Sequence, residues 1–153
     1  WTPVGYRKEA ISIFSRSDEF QNRIAVMFPG MEGNATRNFV ATMYLGLLDR
    51  LPDPGGLAFY TDQFDAALDK RERAKSMGRE VTTSQEYLVN QNTPLKQVES
   101  MYRAYLGRYP NQHAEIPYWT GELEAGRITL DQLIDAFADS AEFTERLAMY
   151  FGQ

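Results

Sequence analysis

Two short stretches hold the residues whose types and spacing could do chemistry. The first, LLDRLPDPGGLAFY over 47–60, sets Asp49 and Asp53 around a turn that contains Gly55 and Gly56. Carboxylates at a glycine turn suit a calcium loop or general acid–base work. An EF-hand alternates oxygen ligands and closes on a glutamate at its twelfth position. Counted from Asp49, the third residue is Leu51 and the twelfth is Tyr60, so the pattern fails and only an irregular calcium site remains as a metal option. The second stretch, YLGRYPNQHAEIPYW over 105–119, carries His113, the single histidine, close to Glu115. A histidine beside a carboxylate can serve as the base of a small hydrolase. Here it has no second histidine for a metal and no Ser or Cys nucleophile on a helical elbow, which favours a solvated loop residue. The acidic pairs Glu122/Glu124 and Asp135/Asp139 have the spacing of ordinary helix-face charges. No catalytic residue, cofactor or metal ligand is assigned.

The two stretches are versions of one another. Arg50 answers Arg108 and Pro52 answers Pro110, but Asp53 is answered by Asn111. Asparagine caps a helix as well as aspartate does, yet it cannot act as a base or a charged ligand. That exchange is tolerated by a turn and not by a reaction. The other concentration of charge is basic: Lys70, Arg71, Arg73, Lys75 and Arg79, with Glu72 and Glu80 interleaved. Such a run reads as a solvated helix face, or as the positive side of a contact with an acidic protein partner. These five residues are the candidate partner-binding face.

Composition narrows the classes. The chain has 153 residues, 43% of them apolar and 13% aromatic, which is enough for a single buried core. A net charge of −5 argues against wrapping a nucleic-acid backbone. The absence of cysteine excludes a disulfide framework, Cys-ligated zinc and thiol chemistry. No apolar run reaches the roughly 20 residues of a membrane span. The chain opens at Trp1 without an initiator methionine, as expected of a processed chain or a domain excised from a larger one.

Helices must position these residues, because strand signals are nearly absent. In NATRNFVATMYLGLLDR, Phe39, Val40, Met43, Tyr44, Leu47 and Leu48 form a stripe at helical spacing. TPLKQVESMYRAYLGR repeats it with Leu95, Val98, Met101, Tyr102, Tyr105 and Leu106. A second helix follows each loop, faced by Leu57, Tyr60, Phe64 and Leu68 in one copy and by Ile116, Trp119 and Leu123 in the other. A third lies over the basic run, with Ala74, Met77 and Val81 inward, and over ITLDQLIDAFADS. Each copy closes on a Ser-x-Glu-aromatic element, Ser84 to Tyr87 and Ser140 to Phe143, which also occurs at Ser17 to Phe20. Ser17, Asp53, Ser84, Thr93, Asn111, Thr129 and Ser140 are expected helix caps. Asn34 fits a glycosylation sequon and a cap equally, and the cap is preferred. The register implies an all-α, compact orthogonal bundle as a single domain over 1–153. It comprises a half-repeat (1–33) and two full repeats (34–92 and 93–153).

The pattern from Tyr44 through Leu47, Leu48, Arg50, Pro52, Asp53, Gly56, Leu57 and Phe59 to Tyr60, completed by Ser84, Glu86 and Tyr87, resembles bacterial domain-of-unknown-function family 4214. Leu106 to Ile116, with Ser140, Glu142 and Phe143, is similar to the phycobilisome linker domain. These resemblances imply an all-helical module with no established catalytic residues, acting in protein association or surface assembly, with a secreted or cell-surface bacterial location favoured over a cytoplasmic one. Gly56 has no glycine counterpart in the second copy, where Glu115 stands.

Overall fold

The computed structural model describes residues 34–152. The chain divides into two units after Asn34. The second is described; the half-repeat expected over 1–33, with its cap at Ser17, lies outside the described residues. There the chain is all-α: α1 (Ala35–Leu48), α2 (Pro54–Ala66), α3 (Lys70–Thr82) and α4 (Gln85–Asn90), then α5 (Pro94–Met101) running into a π turn (Tyr102–Leu106), α6 (Glu115–Glu124), α7 (Leu130–Ala138) and α8 (Ala141–Phe151). None of these helices is long and apolar enough to cross a membrane.

Local chemistry sets the starts. The side chains of Asp53, Ser84, Thr93 and Ser140 accept from the backbone N–H groups of Gly56, Tyr87, Lys96 and Phe143. Each satisfies a donor that the first helical turn leaves orphaned. Pro54 and Pro94 occupy early helical positions where a missing N–H costs nothing. Thr129 and Gln132 cap each other's backbone reciprocally, at 3.1 and 3.0 Å. Thr129→Ala is therefore expected to cost about 1 kcal/mol, read as a lower urea midpoint with an unchanged m-value. Asp69 is a further cap, accepting from the Glu72 N–H at 3.0 Å. Asn111 departs from expectation. Its Oδ1 takes the N–H groups of His113 and Ala114, at 2.8 and 3.0 Å, and so caps the turn before α6 rather than α6 itself.

The α1 stripe forms the core. Phe39, Val40, Met43 and Leu47 are fully buried, as are Met77, Val98, Met101, Tyr105, Leu133 and Phe143 from later helices. The Phe39 ring meets Phe64 at 5.2 Å, Tyr150 at 5.4 Å and Phe151 at 5.3 Å, so the first and last helices share one aromatic cluster. Two expected core positions are outside it. Leu68 falls in the extended link after α2 ends at Ala66 and is fully exposed. Leu95, in the first turn of α5, is largely exposed. Helix α6 has no buried residue, so Ile116, Trp119 and Leu123 cover the core from outside.

The repeats touch where α1 crosses the π turn. A Cβ placed on Gly46 would strike the backbone N and Cα of Ala104. Gly46 and Ala104 are the same repeat position, in the register that pairs Tyr44 with Tyr102. The next corner is also shared: Asp49 and Gly107 correspond, and both adopt left-handed backbone, at φ 56° and 68°.

Candidate functional site

The duplicated loop residues are bound to the duplicated Ser-x-Glu-aromatic elements. Arg50 leaves the end of α1 and grips Glu86 in the first turn of α4, with Nε–Oε2 at 2.6 Å and Nη2–Oε1 at 2.9 Å. Its Nη1 donates to the Leu51 carbonyl, and its guanidinium lies 5.6 Å from the Tyr44 ring. Arg108 does the same with Glu142 at the start of α8, at 2.9 Å for both bonds, with Nη1 on the Tyr109 carbonyl and the Tyr102 ring at 4.9 Å. Forked pairs of this kind fix geometry as well as charge. These pairs join residues 36 and 34 positions apart, so they form only in three dimensions.

The second lock has one more carboxylate. Glu115 takes Arg108 Nη1 and Nη2 at 2.8 and 2.9 Å, and its Oε1 also accepts the Asn111 N–H at 2.7 Å. Glu115 stands where the first copy has Gly56. The charge absent at Asn111 relative to Asp53 thus reappears at the next available corner position. Hydrogen bonds from Arg108 hold the Glu115 carboxyl down to about 2, and those from Arg108 and Arg50 lower Glu142 and Glu86 in turn. A carboxylate held this firmly as an anion is a poor proton carrier near neutrality. His113 is exposed on the turn beside this lock, its own N–H held by Asn111.

The basic run of α3, half-buried at Lys70, Arg71, Arg73, Lys75 and Arg79, makes contacts within the chain. Lys70 Nζ donates to the Phe64 and Ala67 carbonyls at the end of α2. Arg71 donates to the Ala138 carbonyl and to Thr144. Arg73 pairs with Glu80 at 3.1 Å and lies over the Tyr60 ring. Lys75 sits between Glu72 and Asp139, at 3.1 and 2.9 Å, and Arg79 bridges Asp131 and Asp135, at 2.7 and 2.5 Å. The readable signal is a pair of ladders: Arg71, Lys75 and Arg79 at four-residue spacing on α3, and Asp131, Asp135 and Asp139 at the same spacing along α7 and its C-terminal cap.

An open depression of about 420 Å³ lies among Asp49, Asn90, Lys96, Glu99 and Arg103, and its lining mixes both signs of charge. Among the described residues no group of three or more His, Asp or Glu is placed to hold a metal ion. Asp53 Oδ1 is already taken by the Gly56 N–H.

A family model described as a domain of unknown function (DUF4214) matches the chain twice, over residues 28–88 and 80–147. The matches overlap across Ser84 to Tyr87, so that element closes one copy and opens the next. No curated protein matches the chain, and no solved structure does.

Proposed function

The chain belongs to the DUF4214 family of domains of unknown function, and on that premise we propose that it is a non-catalytic helical module for protein–protein association, working in the assembly of bacterial surface or secreted proteins. One contrast carries this reading. The repeated polar residues are bound to each other in the two Arg–Glu locks, while Phe59, Leu68, Leu88, Tyr118 and Met149 stand more than half exposed. Apolar side chains left in water suit contact surfaces when they recur on one small body. The rival hydrolase built on His113 and Glu115 is less favoured because both Glu115 carboxylate oxygens are already bonded, to Arg108 and to the Asn111 N–H.

The test is photo-crosslinking in the producing cell, with a photoreactive residue placed in turn at Phe59, Leu68, Leu88, Tyr118 and Met149 and at the exposed polar control Thr83. At least one apolar position is expected to trap the same protein repeatedly while Thr83 does not. Two results overturn the proposal: no recurrent adduct from any position, or a hydrolytic activity that His113→Ala abolishes while the melting temperature holds.

A further inference from the structure

One exposed feature occurs twice at matching repeat positions without serving the fold. In α2, Tyr60 turns inward and donates its hydroxyl to Glu80 at 2.9 Å, while Phe59 beside it remains 53% exposed. In α6, Trp119 turns inward and donates Nε1–H to the Tyr102 hydroxyl at 3.1 Å, while Tyr118 beside it remains 59% exposed. The outer ring stands edge-on to the inner one in both, with centroids 5.1 Å apart at 81° and 4.9 Å apart at 79°. The inner rings have structural work. The outer rings make no hydrogen bond among the described residues and stand more than half exposed, yet both copies place an aromatic there, edge-on to its neighbour.

The surrounding charge indicates what these rings meet. Neither helix carries a lysine or arginine. Asp62 and Asp65 on α2 and Glu124 on α6 are exposed and take part in no ion pair among the described residues, whereas Glu115 and Glu122 are engaged by Arg108 and Arg127. Elsewhere the chain repeatedly sets a cation over an aromatic face: Arg50 on Tyr44, Arg73 on Tyr60, Arg108 on Tyr102, Arg146 on Tyr150 and Lys70 on Phe151. Among the described residues no cation covers Phe59 or Tyr118. Asp62 follows Phe59 by three residues and so shares its helix face, while Asp65 and Glu124 add negative charge to the same two helices. An open ring face on such a helix offers an incoming cation both ring attraction and counter-charge.

We propose that Phe59 and Tyr118 are equivalent contact points for an arginine- or lysine-bearing segment of another protein, with Asp62, Asp65 and Glu124 supplying the opposite charge. This rests on the association reading and specifies it: the partner is basic, and the surface is α2 and α6 rather than α3.

The test uses the full chain and a short fluorescent peptide of alternating arginine and glycine, titrated by anisotropy. Phe59→Ala and Tyr118→Ala are each expected to weaken binding about two- to fivefold, the size of an exposed cation–π contact, and the double variant about tenfold. Tyr118→Phe should bind as the parent does and Tyr118→Leu should not, since leucine keeps the apolar area and loses the π face. Asp62→Asn, Asp65→Asn and Glu124→Gln together should flatten the salt dependence. The proposal is overturned if the peptide binds no better than its glutamate–glycine counterpart, or if the double alanine variant binds like the parent. It is also overturned if chitopentaose binds through the same rings without salt dependence, which marks a sugar platform. Cellular crosslinks from Leu88 or Met149 with silence at Phe59 and Tyr118 sink this inference and leave association standing.

Discussion

Gly46→Ala is expected to cost about 3 kcal/mol and Gly46→Val more, enough to lower the urea midpoint sharply. The atoms a Cβ would strike are the backbone N and Cα of Ala104, which cannot rotate aside as a side-chain tip could. Relief requires α1 and the π turn to separate, and that separation loosens the buried contacts around Leu47, Met101 and Tyr105. Overpacking commonly costs 1–3 kcal/mol, and a backbone obstacle belongs at the top of that range. Set against a total stability of about 5–15 kcal/mol, valine consumes much of the margin. Gly121 is the control. A Cβ there meets nothing within 4 Å, so Gly121→Ala in α6 should be neutral or add up to about 1 kcal/mol through helix propensity. Urea unfolding of the three variants reads the order directly. Equal midpoints for Gly46→Ala and the parent would show that the helices do not cross as described.

Arg108→Ala is expected to cost about 2 kcal/mol, against about 1 for Arg50→Ala, because Arg108 holds two carboxylates and Arg50 one. The side chains of Arg108, Glu115 and Glu142 are 38%, 30% and 46% exposed, so water moderates the loss. The pH dependence carries the diagnosis. Glu86, Glu115 and Glu142 all have folded values below the ordinary 4.5, with Glu115 near 2. Their stabilisation is therefore complete above pH 4.5 and fades as pH falls toward 2. In Arg108→Ala the two carboxylates face one another without a cation, and protonation relieves them. The gap between parent and variant should thus be widest at neutral pH and close in acid. A gap that stays constant across that range would assign the loss to Tyr102 packing instead of charge.

What could be read from the sequence was what acts over one helical turn. The apolar stripes of α1 and α5, Thr93 with Pro94, Thr129 with Gln132, and the serines of the closing elements all lie within a few residues of what they satisfy. Asp69 is legible by the same rule, since Glu72 follows it at capping-box spacing. The Arg–Glu locks join residues 36 and 34 positions apart, and no local rule pairs them. Asn111 is displaced from the helix start because a three-residue turn over 112–114 stands between it and Glu115, a delay longer than the single added loop residue. The intrachain partners of the basic run, Asp131 and Asp135 on α7 and Asp139 at its C-terminal cap, were not legible because periodicity does not give the placement of that helix.

Phe39 sits near the start of the described fold, yet its ring is enclosed by Tyr150 and Phe151, and Arg146 reaches Thr42 across 104 positions. During synthesis at about 5–20 residues per second, the Phe39 end of α1 therefore waits roughly ten seconds for the cover of Tyr150 and Phe151. Until α8 emerges that end stays open to misplaced contacts, and a stop codon before α8 would leave it so.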